Sequence, residues 1–220
     1  MSLDFVYQSL SQEALNRAYN SDAAVPDRSA TMRPLFQRSI EFRAKHPQYL
    51  DLSYGSGEHN KIDFFSAEKP NAPTLVFIHG GNWQAANKER FAALAEGLLE
   101  HGINMAFVGY TLAPEASMMV IVKEARASIA FLSKKLRELN PDSGKMIVSG
   151  WSAGAQLAAL CLDMSDVVGG LVVSGLFDLE PIRLCYLNKK LNLTTDEVSQ
   201  YSPIRNIPQQ SPPLAIVVGA

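Results

Sequence analysis

Apolar and polar positions follow two periods along the chain, and short apolar runs predominate from residue 74 onward. Uninterrupted runs of this kind predict strands that are buried on both faces, as in a parallel sheet. The predicted strands are 74–78, 103–110, 146–149, 167–174 and 214–218. Between them, apolar residues recur at steps of three and four and predict helices at 87–101, 117–139 and 155–162. Strands alternating with helices predict an α/β fold, a mostly parallel central sheet with helices on both faces.

The first third of the chain has a different pattern. Residues 10–19 and 35–45 predict amphipathic helices, and the polar loop between them is either a lid or a surface connection. Residues 49–54 and 61–65 alternate polar and apolar side chains around a glycine-rich turn. This alternation predicts an antiparallel pair of strands at one edge of the sheet, on its N-terminal side.

Composition changes this picture little but excludes several functions. A length of 220 residues with 47% hydrophobic and 19% charged residues predicts one globular domain, 1–220, in which 1–48 form a helical extension. The net charge of −2 favours neither nucleic acid nor an anionic membrane as a partner. We expect a cytoplasmic protein, because residues 1–5 lack a signal-peptide start and no apolar stretch reaches 18 residues. Cys161 and Cys185 match no metal spacing. The sequence implies neither a metal nor another cofactor.

The first chemical motif is Gly150-Trp-Ser-Ala-Gly154, which joins a predicted strand to a predicted helix. Glycines two residues before and after a serine allow a sharp turn, because a side chain at either place would collide as strand and helix close on each other. The turn would expose Ser152 as a nucleophile. It would also direct the Ala153 N–H at the group under attack.

The second motif, His79-Gly-Gly-Asn-Trp83, follows the first buried strand. Consecutive glycines let backbone N–H groups approach a ligand, so Gly80 and Gly81 are candidates, with Ala153, for binding a developing oxyanion. The alternative is a simple turn between strand and helix. We expect His79 to brace this loop and not to act as a general base. Trp83 either walls an apolar pocket or packs in the core.

These motifs resemble the α/β-hydrolases, and within them the kynurenine formamidase (arylformamidase) and carboxylesterase group. The resemblance rests on Asn16-Arg-Ala-Tyr-Asn20, Val25-Pro-Asp27, Tyr54-Gly55, Asp63-Phe64, His79-Gly-Gly-Asn-Trp83, Tyr110-Thr-Leu-Ala-Pro114, Gly150-Trp-Ser-Ala-Gly-Ala155 and Ser174-Gly-Leu-Phe-Asp-Leu179. It implies an acyl-enzyme formed on Ser152 from a small-molecule ester or N-formyl amide. Asn82 and Trp151 stand where the family commonly has tyrosine and histidine, which implies an altered pocket wall.

In α/β-hydrolases the acid and the histidine of the catalytic triad follow the nucleophile along the chain. Every histidine here precedes Ser152, and they are His46, His59, His79 and His101. Asp178 is a candidate acid, although its Phe-Asp-Leu context is more typical of a residue that holds a loop. We therefore expect a C-terminally incomplete chain that lacks the last strand and helix and is nearly inactive. Two alternatives are a non-catalytic binding protein of the same fold, and a site completed by a partner chain such as the second copy of a homodimer.

Overall fold

The computed structural model describes residues 6–20, 23, 25, 27–140 and 144–219. Seven strands form one sheet in the order β1-β2-β4-β3-β5-β6-β7. Their bounds are β1 Leu52–Ser53, β2 Lys61–Phe65, β3 Thr74–Ile78, β4 Asn104–Val108, β5 Met146–Trp151, β6 Val167–Val173 and β7 Leu214–Val217. Strands β3 to β7 pair in parallel, whereas β1 and β2 pair antiparallel at one edge. The predicted mostly parallel sheet with its antiparallel edge pair is confirmed.

Helices connect and flank these strands. The α-helices are α1 Gln12–Ala18, α2 Arg28–Lys45, α3 Ala95–Glu100, α4 Met118–Leu139, α5 Ala153–Ala159, α6 Glu180–Leu184, α7 Asn188–Leu191 and α8 Thr195–Tyr201. Two 3₁₀ helices cover Lys88–Leu94 and Pro203–Arg205. Helix α8 begins with a capping box, in which the side chains of Thr194 and Glu197 each accept from the other's backbone N–H.

Two hydrophobic clusters hold the layers together. One contains the apolar stripe of α4, whose Ile121, Ile129 and Leu132 are fully buried together with strand residues such as Val148. The other is aromatic and gathers side chains of β2, β3, β4, α2 and the first 3₁₀ helix. Its rings are those of Phe42, Phe65, Phe77, Phe91 and Phe107. The clusters are separate sets of residues, and both include side chains from the central strands, so the sheet has a core on both faces.

Three predicted boundaries are wrong for identifiable reasons. Helix α2 begins at Arg28 and not at residue 35, because the Asp27 side chain caps it by accepting from Ala30 N–H, and Pro34 is accommodated inside it. Much of the predicted polar loop is therefore helical. The helix predicted at 87–101 is a 3₁₀ helix followed by the short α3. The helix after the serine turn begins at Ala153, two residues earlier than predicted.

A buried ion cluster joins α2, the edge strands and the first 3₁₀ helix. Asp63, fully buried, accepts from Arg43 Nε at 2.8 Å, Lys88 Nζ at 2.8 Å and Asp51 N at 2.9 Å. Burial alone would lower the pKa of Lys88, but the charge of Asp63 and hydrogen bonds to Asp51, Asp63 and Glu89 raise it. Lys88 therefore stays charged inside the protein.

Pro26, which belongs to one of the motifs that carry the family resemblance, lies outside the described residues. The single-domain assignment and the lid stay predictions. Of the helices that the structure describes, none is both long enough and apolar enough to cross a membrane. The cytoplasmic location likewise stays a prediction.

Candidate active site

The serine turn has the geometry that its sequence predicts. Ser152 lies between β5 and α5 with φ 56° and ψ −119°, a conformation that L-residues rarely adopt. The flanking glycines make it possible. A Cβ on Gly150 would lie 2.7 Å from the Ala155 nitrogen, and a Cβ on Gly154 would lie 2.5 Å from the His79 carbonyl oxygen. Neither contact is tolerable, so both positions require glycine.

The double-glycine loop packs directly against this turn. A Cβ on Gly80 would lie 2.7 Å from the Trp151 carbonyl oxygen and 3.1 Å from Ser152 Cβ. Gly81 has φ 111°, and a Cβ there would approach the Ala85 carbonyl carbon to 2.8 Å. The structure thus brings Gly80 next to Ser152. Ala153 is the first residue of α5, where a backbone N–H has no acceptor within the helix.

His79 supports the glycine loop from inside the protein. Its Nδ1 lies 2.8 Å from the Gly80 carbonyl oxygen, and its ring stacks on Tyr110 at 4.4 Å between centroids. Tyr110 in turn donates its hydroxyl to the His79 carbonyl oxygen at 2.9 Å. Burial lowers the pKa of His79 to about 4, so the imidazole is neutral at physiological pH. These contacts are those of a loop brace, the role expected from the sequence.

A cavity of about 670 Å³ opens beside Ser152. Asn82 and Trp151 are on its wall, as the sequence predicts. Trp83 is not: it is fully buried and donates its indole N–H to Gln156 Oε1 at 3.1 Å. Of the two positions considered for Trp83, the structure shows the core position, and the pocket-wall position is wrong. Asn82 and Trp83 both have positive φ, 55° and 58°, in the turn that follows the two glycines.

Four further lining residues belong to motifs that the sequence analysis names, and they are Val25, Gly81, Ser152 and Ser174. The rest of the wall comes from residues that the sequence did not indicate. They lie on α2 and on and just before the first 3₁₀ helix, and they are Arg28, Ser29, Met32, Phe36, Ala85, Ala86, Arg90 and Phe91. No local motif marks these positions, because tertiary packing alone brings α2 over the end of the sheet.

Asp178 connects three distant parts of the chain. Its carboxylate accepts from Tyr7 Oη at 3.1 Å, from the Glu180 backbone N–H at 3.0 Å and from Arg205 at 3.2 Å. These bonds hold the N-terminal segment and the start of α6. In the described part of the chain, no histidine or carboxylate hydrogen-bonds Ser152 Oγ. The role of Asp178 as an acid therefore has no supporting contact, whereas the role of holding the loop has three.

A strained serine between a parallel strand and a helix, beside a glycine loop and a cavity, is the arrangement typical of α/β-hydrolases, and the chain has the α/β-hydrolase fold. The BD-FAE family model matches residues 62–167. A crystal structure of a candidate thioesterase from Silicibacter sp. tm1040 superposes with a TM-score of 0.85 at 26% identity, covering 94% of this chain and 80% of that one. The Pyrobaculum calidifontis esterase has the same fold, with a TM-score of 0.65 and 20% identity over 87% of this chain and 73% of that one.

Sequence relatives narrow the class further. The chain is 30% identical to the kynurenine formamidase of Danio rerio, over 92% of this chain and 73% of that protein. It is 32% identical to the kynurenine formamidase of Salmo salar, over 73% of this chain and 56% of that protein. The chain belongs to the kynurenine formamidase family.

Proposed function

We propose that this chain is a serine hydrolase in which Ser152 attacks the carbonyl carbon of a small ester or N-formyl amide. The observation that carries the proposal is the strained Ser152 turn with Gly80 packed against it. Strain of this kind persists only where the surroundings hold it, and it is concentrated at functional sites. The cavity beside the turn offers room for a small substrate.

In the proposed reaction, Ser152 Oγ forms a bond to the carbonyl carbon and gives its proton to a base. The carbonyl oxygen becomes negative in the tetrahedral intermediate, where the N–H groups of Ala153, Gly80 and Gly81 stabilise it. The bond to the leaving alcohol or amine then breaks, and the base returns the proton to the leaving group. Water then attacks the acyl-enzyme and gives a proton to the base, and the bond to Ser152 Oγ breaks as the base returns the proton to Ser152.

The described residues supply the nucleophile and the oxyanion donors but no base for Ser152. His79 does not fill that role, because its Nδ1 is held by Gly80 and its pKa is about 4. Without the histidine of a triad, turnover falls by a factor of about 10⁶, and the oxyanion donors alone leave a rate about 10³ times that of the reaction in water. We therefore expect the 220-residue polypeptide to react slowly by itself.

Esters and N-formyl amides share the tetrahedral intermediate that this site would stabilise, so both remain candidates. Relatives named kynurenine formamidase and isoprenylcysteine α-carbonyl methylesterase represent the two bond types. Asn82 and Trp151 on the pocket wall are the positions at which this chain differs from the common family pattern. The Trp151 indole offers an apolar surface to a substrate in the cavity.

The test is covalent labelling of the 220-residue chain with a fluorophosphonate, with and without added imidazole. Imidazole provides the missing base in solution. We expect slow labelling that imidazole accelerates, with the adduct located on Ser152 by mass spectrometry and absent from Ser152→Ala. A Ser199→Ala variant, which changes an exposed serine outside the cavity, is the matched control and should label like the parent.

A second candidate function is that of a non-catalytic binding protein with the same fold. It is favoured by the absence, within the described residues, of any histidine or carboxylate bonded to Ser152. This alternative predicts no labelling of Ser152 at any imidazole concentration. Labelling of other serines at the same rate would also count against the hydrolase proposal.

A further inference from the structure

A second cavity, of about 410 Å³, lies beside the double-glycine loop. Within the described residues it shares only Ala86 with the cavity beside Ser152. His79 connects this second cavity to the loop, because it is part of the lining and its Nδ1 lies 2.8 Å from the Gly80 carbonyl oxygen. A ligand in the second cavity would therefore act on the double-glycine loop without contacting Ser152.

The bond to Gly80 determines which nitrogen of His79 carries hydrogen. A carbonyl oxygen only accepts, so Nδ1 is the donor in this bond. The pKa of about 4, lowered by burial, keeps the imidazole neutral at neutral pH, and a neutral imidazole has a single N–H. Nε2 is therefore an acceptor with a free lone pair.

Nε2 of His79 opens into the second cavity. The ring lies between Tyr110 and Phe91, with centroids 4.4 Å and 6.3 Å away and interplanar angles of 12° and 6°, so its orientation is fixed. Although His79 is only 1% exposed, Nε2 has no hydrogen-bond partner among the described residues. Within that part of the chain, every side-chain nitrogen or oxygen that is closed off from solvent has a partner. Nε2 is therefore not closed off, and the space it faces is the cavity that His79 lines.

The two lysines on the lining of the second cavity use their N–H groups elsewhere. Lys61 Nζ donates to the Ser53 hydroxyl. Lys88 Nζ has three N–H groups, and its three acceptors are Asp51 at 2.6 Å, Asp63 at 2.8 Å and Glu89 at 2.7 Å. An N–H donor for His79 Nε2 must therefore come from a ligand.

The charge of the lining favours a cation as that ligand. Three carboxylates line the second cavity, those of Asp51, Glu58 and Glu89, against the ammonium groups of Lys61 and Lys88. Glu58 is exposed, and within the described part of the chain it forms no hydrogen bond or ion pair. The same residues contain no group of three histidine, cysteine or acidic side chains placed to hold a metal ion. The fitting ligand is thus a cation that carries N–H donors.

We propose that the second cavity is a binding site for a primary ammonium ion, which donates a hydrogen bond to His79 Nε2 while the carboxylates of the lining balance its charge. The bound ion holds the hydrogen of His79 on Nδ1, where it is donated to the Gly80 carbonyl oxygen. Occupancy of the second cavity is thereby transmitted to the double-glycine loop. The ligand class follows from both features, since the lone pair requires a donor and the carboxylates favour a positive charge.

The test is a titration of the ¹⁵N-labelled 220-residue chain at neutral pH, followed by NMR of the histidine ring nitrogens. Three probes separate the two features. Methylammonium has both charge and N–H donors, tetramethylammonium has the charge alone, and methanol has a neutral donor alone. The His79 signal is the one that persists in each of the variants His46→Gln, His59→Gln and His101→Gln.

Methylammonium should shift the Nε2 signal of His79 upfield in a saturable way. It should bind about tenfold more tightly than either other probe, the size typical of a hydrogen bond to a charged group. Equal binding of tetramethylammonium would overturn the proposal, because that ion has no hydrogen to donate. Equal binding of methanol would overturn the cationic ligand class, and a signal that never saturates would overturn the site.

Glu58→Gln should weaken methylammonium binding about two- to fivefold, as expected for one exposed charge. The unligated His79 signals should stay unchanged in this variant, which shows that it is folded. Glu100→Gln is the matched control, because Glu100 is exposed at the end of α3 and lies outside the lining. An equal loss of affinity in both variants would contradict a specific site.

The backbone amide signals of Gly80 and Gly81 report on the link to the double-glycine loop. They should shift with methylammonium at the same midpoint as His79 Nε2. A His79 shift that leaves both glycine amides unchanged would refute the transmission. None of these signals requires Ser152 to react, so the outcome is independent of the proposed hydrolysis.

Discussion

The replacement Gly154→Ala tests whether the serine turn depends on close contact between α5 and the end of β3. The added methyl carbon would lie 2.5 Å from the His79 carbonyl oxygen and closer still to that of Ile78. Real Cβ atoms essentially never approach other atoms to less than 3.0 Å. Both clashing oxygens belong to the backbone at the end of β3, so no side chain can rotate to relieve the contact. Helix and strand must therefore separate.

Overpacking of this kind costs about 1–3 kcal/mol, and contact with two backbone carbonyls places Gly154→Ala at the upper end, about 3 kcal/mol. In a domain of this size each kcal/mol lowers Tm by about 2–4 °C. We therefore expect Tm to fall by about 6–12 °C. The assay is thermal unfolding followed by circular dichroism, with denaturant unfolding as a second measure of the free energy of unfolding.

Gly97→Ala is the matched control because it is the same chemical change in another helix. Nothing lies within 4 Å of the Cβ that would be added at Gly97, in α3. Alanine there should stabilise the protein by about 0.5–1 kcal/mol, since glycine is the poorer helix former. The reasoning is refuted if Gly154→Ala melts within about 1 °C of the parent, or if both variants lose stability equally.

Three further predictions follow from buried groups. In a denaturant titration, Asp63→Ala should lower the free energy of unfolding by about 3 kcal/mol, because it leaves Lys88 without a buried partner. The control Asp163→Ala breaks an exposed ion pair and should lower the free energy of unfolding by less than about 1 kcal/mol. The pKa of His79 is about 4 in the folded chain and about 6.5 in the unfolded chain. The free energy of unfolding should therefore decline by about 3 kcal/mol as the pH falls from 6.5 to 4. In His79→Gln this part of the decline should be absent. Burial raises the pKa of Cys161 to about 12, so at pH 8 Ellman's reagent should modify it only at the rate of unfolding.

The serine turn could be predicted from five residues because its constraint is local. Whether a Cβ at Gly150 or Gly154 collides with its neighbours depends only on a strand turning sharply into a helix. The same holds for the capping box at Thr194, which involves residues three apart. Such features appear in sequence because the residues that decide them are adjacent or nearly so.

The cavity wall could not be predicted, because its constraints are long-range. Arg28 meets Trp151 across more than a hundred residues of chain, and Tyr7 meets Asp178 across 171. Neither pair leaves a periodic signal in the sequence. The start of α2 was missed for a related reason: a polar stretch typical of a loop is helical where Asp27 caps it and where its later residues pack on the 3₁₀ helix.

The buried ion cluster is connected to the cavity wall through one short element. Lys88 and Arg90 lie two residues apart on the first 3₁₀ helix, where each residue advances about 120° around the axis, so their side chains leave it in different directions. Lys88 enters the cluster around Asp63, and Arg90 faces the cavity. Anchoring Lys88 thus fixes the backbone from which Arg90 extends. Loosening the cluster should therefore shift this part of the cavity wall before it disturbs the serine turn, which is held by contacts among β3, β5 and α5.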